Sequence, residues 1–291
     1  MFAVIGITGQ VGGAVARELL ARGKSVRAIV RNSTRAAAWA AQGCDVAAAD
    51  VNDAEALTKA LREVEGAFVM LPPYFDPSPG FPEAKATTAA LRESLNAARP
   101  ARTVVLSTIG AQAKQTSLLT QLQILEQELG TLPIPITFLR PAWFMENSAW
   151  DVAPARETGV ITSFLQPLDR PFPMVATADI GRTAAGLLQE TWEGHRIVEL
   201  EGAKRIAPNE IAAAFSRLLG RNVEMRVLPR EQWEPLFRSQ GMKNPGPRMR
   251  MLDGFNEGWI EFAGGEAGSR KGSTPLETVL RSLVDGAGQA N

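Results

Sequence analysis

The 291-residue sequence predicts an α/β protein, a doubly wound parallel sheet with a smaller C-terminal α/β lobe, on three observations. Short apolar runs alternate with helix-period stretches through the first half of the chain. Those runs are too uniformly apolar to have one wet face, which argues for a sheet covered on both sides. A glycine-spaced turn, "GITGQVG" from Gly6 to Gly12, joins the first run to the first helical stretch. Because crossovers between parallel strands are right-handed, the doubly wound arrangement is the economical solution.

The elements follow in order. Candidate strands are Phe2–Ile5, Ser25–Val30, Asp45–Ala48, Ala67–Leu71, Thr103–Leu106 and Ile136–Leu139. The first helix places Val11, Val15 and Leu19 on one face, pairs Glu18 with Arg22, and ends at Gly23. A later helix aligns Leu118, Leu122, Leu125 and Leu129 and stops at Gly130. The rhythm breaks near Trp150, which predicts domains over 1–150 and 151–291, with 174–192 returning to the first. In the second part, "APNEIAAAFSRLLG" reads as a helix with Pro208 in its first turn and Gly220 past its end. "RNVEMRVLP" alternates like a strand, and Thr274, Pro275 and Glu277 read as a capping box. "GGEAGSRKGST" reads as a polar loop.

Composition bounds the function. Lys+Arg and Asp+Glu both number 31, so no charge excess points to nucleic acid or an anionic membrane. One cysteine, Cys44, excludes an intrachain disulfide, and one histidine, His195, excludes a His-rich metal site; no metal is expected. No run is apolar enough to span a membrane, and "MFAVIG" reads as a strand rather than a signal, so a cytoplasmic protein is expected.

The glycine turn carries the first chemistry. Gly6, Gly9 and Gly12 let the backbone approach an anion closely, and the helix that follows offers unpaired N–H groups. Between a strand and a helix this is a dinucleotide-binding, Rossmann-like signature. The second strand ends in "AIVRN". A carboxylate there would suit a ribose 2′-hydroxyl, whereas the guanidinium of Arg31 suits a 2′-phosphate, with Arg35 within reach of the same group. NADP(H) is therefore expected over NAD(H). Asp50 and Val51 follow the third strand; Asp50 either meets the adenine edge or belongs to the turn, with Asn52 and Glu55 capping the next helix.

With these pieces placed, the chain resembles the NmrA-like branch of the atypical short-chain dehydrogenase/reductases. The resemblance rests on "GITGQVG", "VRAIVRN", "VVLSTIGA", "TFLRPAWFMEN" and "VATADIG", in that order over residues 1–185. It implies an NADP(H)-binding domain and a small lobe closing over the nicotinamide. Carried over by position, Gly6, Thr8, Gly9, Gln10, Val11 and Gly12 would line the pyrophosphate. Arg31, Asn32 and Arg35 would sit at the 2′-phosphate end. Pro72, Pro73, Ser107, Thr108 and the run from Pro141 to Asn147, with Trp143 and Phe144, would converge on the nicotinamide.

The Tyr-x-x-x-Lys pair of standard short-chain reductases is absent. The single tyrosine, Tyr74, is followed four places on by Ser78, and Gln121 stands where many relatives keep a lysine. Hydride transfer to an already electrophilic quinone-like or azo-type acceptor needs less proton assistance. Ser107, Thr108 and Tyr74 are the candidate proton donors, although Ser107 equally suits a backbone-satisfying role and Tyr74 better suits an aromatic cover. Trp143 and Phe144 are pocket candidates; Trp233, Phe237, Met242, Met249 and Met251 complete an aromatic and methionine set suited to a flat acceptor. Leu252, Phe255, Trp259 and Phe262 read as a core face. The competing reading is a non-catalytic NADP(H)-sensing regulator with a protein partner. Nucleotide-sugar epimerisation ranks lower, since it too uses the Tyr/Lys pair. A monomer or homodimer is expected.

Overall fold

The computed structural model describes residues 1–31 and 36–287. Its first half runs β1 (Phe2–Ile5), α1 (Gln10–Ala21), β2 (Val26–Val30), α2 (Ala37–Ala40), β3 (Asp45–Ala48), α3 (Ala54–Leu61), β4 (Gly66–Val69), α4 (Pro82–Ala98), β5 (Arg102–Leu106), α5 (Thr120–Leu129) and β6 (Ile136–Pro141). There follow β7 (Trp143–Phe144), α6 (Val152–Glu157), β8 (Val160–Ser163), β9 (Met174–Val175), α7 (Thr177–Leu187) and β10 (His195–Glu201). The chain ends with α8 (Pro208–Leu219), β11 (Glu224–Val227), α9 (Trp233–Ser239), α10 (Gly246–Glu257), α11 (Gly265–Gly268), β12 (Arg270–Lys271) and α12 (Leu276–Ala287).

The main sheet has eight strands in the order β12-β10-β6-β5-β4-β1-β2-β3. Parallel pairing joins β3 to β2, β2 to β1, β1 to β4, β4 to β5 and β5 to β6. This is the doubly wound order, reversing between β1 and β4. The two central strands are apolar throughout because helices cover both faces: β1 and β4 are buried at every residue. Leu57, Leu61, Leu91, Leu95, Leu125 and Leu129 from α3, α4 and α5 close over Ala3, Ile5, Val69 and Val105.

The chain divides into two compact units. One comprises Met1–Gln112, Leu119–Arg140 and Ile180–Val198; the other comprises Ala113–Leu118, Pro141–Asp179 and Glu199–Asn291. Arg140 closes one segment of the first unit, and Ile180–Val198 returns to it.

Several local expectations need correction. The α5 helix starts at Thr120, and its buried face is Gln121, Leu125 and Leu129. Leu118 lies before it in the second unit, where its amide donates to the Pro247 carbonyl at 2.8 Å. The Thr274–Glu277 capping box does not form. Asp179 takes the Thr274 amide at 3.0 Å, while Glu277 pairs with Arg281 and Arg217 at 3.4 and 3.5 Å. The glycine-rich loop holds α11 and β12. Fully buried Glu201 orders it by gripping Lys271 at 2.7 Å and the Ser269 hydroxyl at 2.5 Å. Gly23 and Gly220 end their helices in the left-handed conformation, as their spacing predicts. Among the described residues no helix is long and apolar enough to cross a membrane.

Candidate functional site

The first unit brings five strand ends to one edge of its parallel sheet. After β1 the chain turns at Gly6, whose φ of +73° is left-handed. Gly9 precedes α1 with no side-chain cap, and the first turn of that helix carries no acidic residue. Gly12 is the tightest position: a Cβ there would stand 2.3 Å from the Gly6 carbonyl oxygen. A Cβ on Gly6 would meet Met70 Sδ at 2.7 Å, so the end of β1 lies against the end of β4, where strand order reverses. Thr8, Gly9 and Gln10 are exposed. The turn therefore presents backbone N–H groups and the positive end of a helix dipole. The Val11 side chain is buried, because it opens the apolar face that continues through Val15 and Leu19, so Val11 meets the turn with its backbone.

Arg31 follows β2 and is exposed. Asn32 and Arg35 lie outside the described residues. Asp50 takes the turn role, accepting the Asn52 amide at 2.9 Å, and Val51 packs against the core. The expected Asn52–Glu55 cap is replaced by Asp53, which accepts the Ala56 amide at 2.9 Å. Glu55 instead pairs with Lys59 at 2.6 Å. Pro72 is half-buried and Pro73 exposed after β4.

The three candidate donors differ in what their protons already do. The Tyr74 hydroxyl lies 2.9 Å from Thr87 Oγ1, and Thr87 donates its own proton to Asn52 Oδ1 at 2.5 Å. Tyr74 must therefore donate to Thr87. Gln121, buried on α5, donates to the Tyr74 carbonyl at 3.0 Å, which is how a polar side chain occupies that apolar face. Ser107 donates to Glu126 Oε1 at 2.5 Å. Glu126 also grips Arg140 through two bonds, at 2.8 and 2.5 Å, and Arg140 Nη1 reaches Gln112 Oε1 at 3.0 Å. Arg140 is 4% exposed, so this is a buried bidentate ion pair with Ser107 attached. Half-buried Thr108 makes no side-chain hydrogen bond among the described residues. The sequence carried a signal for the cluster that the reading missed: an arginine inside "ITFLRP" can be buried only with a partner.

In the second unit, Pro141 is buried, and Trp143 and Phe144, both half-buried, form β7 beside β9. Trp143 packs edge-on against Phe255, ring centroids 5.2 Å apart. Glu146 Oε1 accepts the amide and hydroxyl of Thr177 at 2.8 and 2.7 Å, while its buried Oε2 has no hydrogen-bond partner among the described residues. Burial pushes the Asp151 carboxyl up to about 7, opposed by a hydrogen bond with Ser148. Trp233 and Phe237, expected in the pocket set, are fully buried and form a small core with Met249 and Leu252; the Trp233 indole donates to the Leu228 carbonyl at 2.8 Å. Trp143, Phe164, Met242 and Met251 pack against that core while keeping exposed surface.

A model of the NmrA-like family matches residues 1–245. The chain belongs to the NmrA-like family. It is 28% identical over 247 residues to quinone oxidoreductase 2 of Escherichia coli (strain K12), covering 83% of this chain and 82% of that protein. It is 27% identical over 259 residues to an NAD(P)H azoreductase of Xenophilus azovorans, covering 88% and 85%. Its fold is similar to that of Citrobacter sp. triphenylmethane reductase complexed with NADP(H), with a TM-score of 0.80, 22% identity, and coverage of 97% of this chain and 99% of that one.

This NmrA-like chain fits a dinucleotide in its first unit. The Gly6–Gly12 turn is a cradle that a Cβ would fill, its helix start is uncapped, and Arg31 stands exposed at the neighbouring strand end. Among the described residues no group of three or more His, Cys, Asp or Glu could hold a metal ion.

Proposed function

We propose that this protein is an NADPH-dependent reductase that passes hydride to a flat aromatic acceptor of quinone or azo type. The observation that carries the reading is the bare start of α1: an open glycine turn and a helix without cap or acid, at the point where strand order reverses. The relatives named as quinone oxidoreductase and azoreductase support the acceptor class. The N–H groups of Gln10 and Val11, left open while the Gly9 amide donates to the Gly6 carbonyl at 2.9 Å, bind the pyrophosphate, and Arg31 holds the 2′-phosphate. Bound NADPH supplies the hydride. Thr108 holds the proton that the reduced acceptor takes up, because its hydroxyl is the one uncommitted among the three candidates. Ser107 keeps a fixed orientation through Glu126 and offers its oxygen as an acceptor only. In the second unit, Trp143 and Phe144 carry half-buried apolar surface suited to an aromatic ring.

The test is titration of NADPH and NADH against wild type and Arg31→Glu, followed by NADPH oxidation across quinones and azo dyes. Arg31→Glu should weaken NADPH by about 10- to 100-fold, the loss of one charge-assisted contact, while sparing NADH. Equal effects on both cofactors would remove the 2′-phosphate assignment. A second reading, the NADP(H)-sensing regulator, draws support from Ser107 and Tyr74, whose protons are both committed internally. Tight NADPH binding without turnover on any acceptor would favour it.

A further inference from the structure

The arginines of the second unit are nearly all matched. Arg205, Arg230, Arg238 and Arg250 each hold a carboxylate, at 2.7, 2.7, 2.7 and 3.3 Å. Arg156 and Arg170 hold backbone carbonyls. Arg248 is different. It is half-buried, its guanidinium carbon lies 4.5 Å above the Phe237 ring, and among the described residues it has neither a carboxylate nor a carbonyl partner. Burial alone pushes its pKa down from the ordinary guanidinium value. Helix electrostatics do not explain the placement either, since Arg248 sits in the first turn of α10, where the helix is itself positive. A desolvated cation without an anion is costly, and the contact with a phenyl face offsets only part of that cost.

The surroundings show what the charge is placed for. Phe237 is stacked on Phe164, with centroids 5.3 Å apart, inside the aromatic cluster against which Trp143 packs. On α10, Arg248, Met251 and Phe255 follow one another at i, i+3 and i+7, so they line one stripe of the helix. Phe255 touches Trp143. Seven residues of helix place Arg248 roughly 10 Å along the axis from Phe255. That is about the length of a two-ring aromatic molecule. We propose that Arg248 is a specificity-determining residue that recognises an anionic substituent, a sulfonate or carboxylate, at the far end of an extended aromatic acceptor whose ring lies by Trp143. This rests on the reductase reading for its acceptor, but the recognition itself is a binding property and can be measured apart from turnover.

The experiment uses a matched pair, azobenzene-4-sulfonate and the neutral azobenzene-4-sulfonamide, on wild type and Arg248→Met in the presence of saturating NADP⁺ for binding and NADPH for turnover. Wild type should bind the sulfonate on the order of 10- to 100-fold more tightly than the sulfonamide, and Arg248→Met should bring that ratio close to one. A wild-type ratio near one, or a ratio unchanged by Arg248→Met, overturns the proposal. Should Arg248→Met fold poorly, salt decides: wild-type affinity for the sulfonate must fall with ionic strength while that for the sulfonamide does not. Anion-selective binding without reduction of either dye would retain the Arg248 assignment and sink the reductase reading. Reduction of both dyes with equal affinity would do the reverse.

Discussion

The start of α1 and the Ser107–Glu126–Arg140 cluster lie in the same unit and treat their polar groups in opposite ways. At α1 the Gln10 and Val11 amides are uncapped and unaccompanied by acid. In the cluster every strong group named is answered by another within 3.0 Å, and Arg140 is almost fully buried. A donor already answered contributes to stability and has nothing left for a ligand; an open donor contributes to binding and little to folding. The same distinction sorts the three hydroxyl candidates, leaving Thr108 open while Ser107 and Tyr74 are closed.

The comparison can be broken most severely at Arg140. Arg140→Met removes one partner of a buried pair and leaves Glu126 uncompensated, so urea unfolding should show a loss of about 3–5 kcal/mol. A loss under about 1 kcal/mol would mean that the cluster contributes little to folding. Next comes Asp151, a half-buried carboxyl whose proton is held more tightly when folded, up to about 7 against an ordinary 3.8. The folded state then binds more protons than the unfolded one between those values, so this stabilising contribution is full below about pH 4 and lost as pH rises through about 7. Asp151→Asn cannot titrate. It should match wild type near pH 4 and exceed it at pH 8 by on the order of 2–4 kcal/mol, read from denaturant midpoints at each pH.

Two smaller changes sharpen the contrast. Gly12→Ala forces a Cβ onto the Gly6 carbonyl and should cost about 1–3 kcal/mol of stability. Its effect on NADPH affinity, measured by calorimetry on protein that remains folded, should be larger than its effect on unfolding, because the turn itself must move. The reverse ranking would argue that Gly12 serves only packing. Tyr74→Phe deletes the donation to Thr87 and should cost about 0.5–1.5 kcal/mol, with turnover retained. Abolished turnover with intact NADPH binding would restore Tyr74 as a proton donor.

Much of the fold was legible in local pattern. The uniformly apolar runs, the glycine spacing before α1 and the arginine after β2 each depend on a few consecutive residues, and the strands and first helix formed close to where those patterns placed them. Boundaries slipped where a long-range partner intervened: Asp179 took the Thr274 amide, and Glu201 bonds Ser269 and Lys271 where the two-residue strand β12 forms. The aromatic set also divided by a property that spacing does not carry, since Trp233 and Phe237 went to a core while Trp143 kept exposed surface.

By itself, then, the sequence determined the doubly wound architecture, the anion-ready turn and the guanidinium beside it, because periodicity and backbone permissiveness are short-range properties. Only the tertiary structure decided which polar side chains remain available. Thr87 meets Asn52 and Glu126 meets Arg140 from different elements, and Arg248 meets no anion among the described residues. Partner choice follows from which surfaces the packed elements bring together, and a hydrogen bond or ion pair forms only where both groups are delivered within about 3 Å of one another.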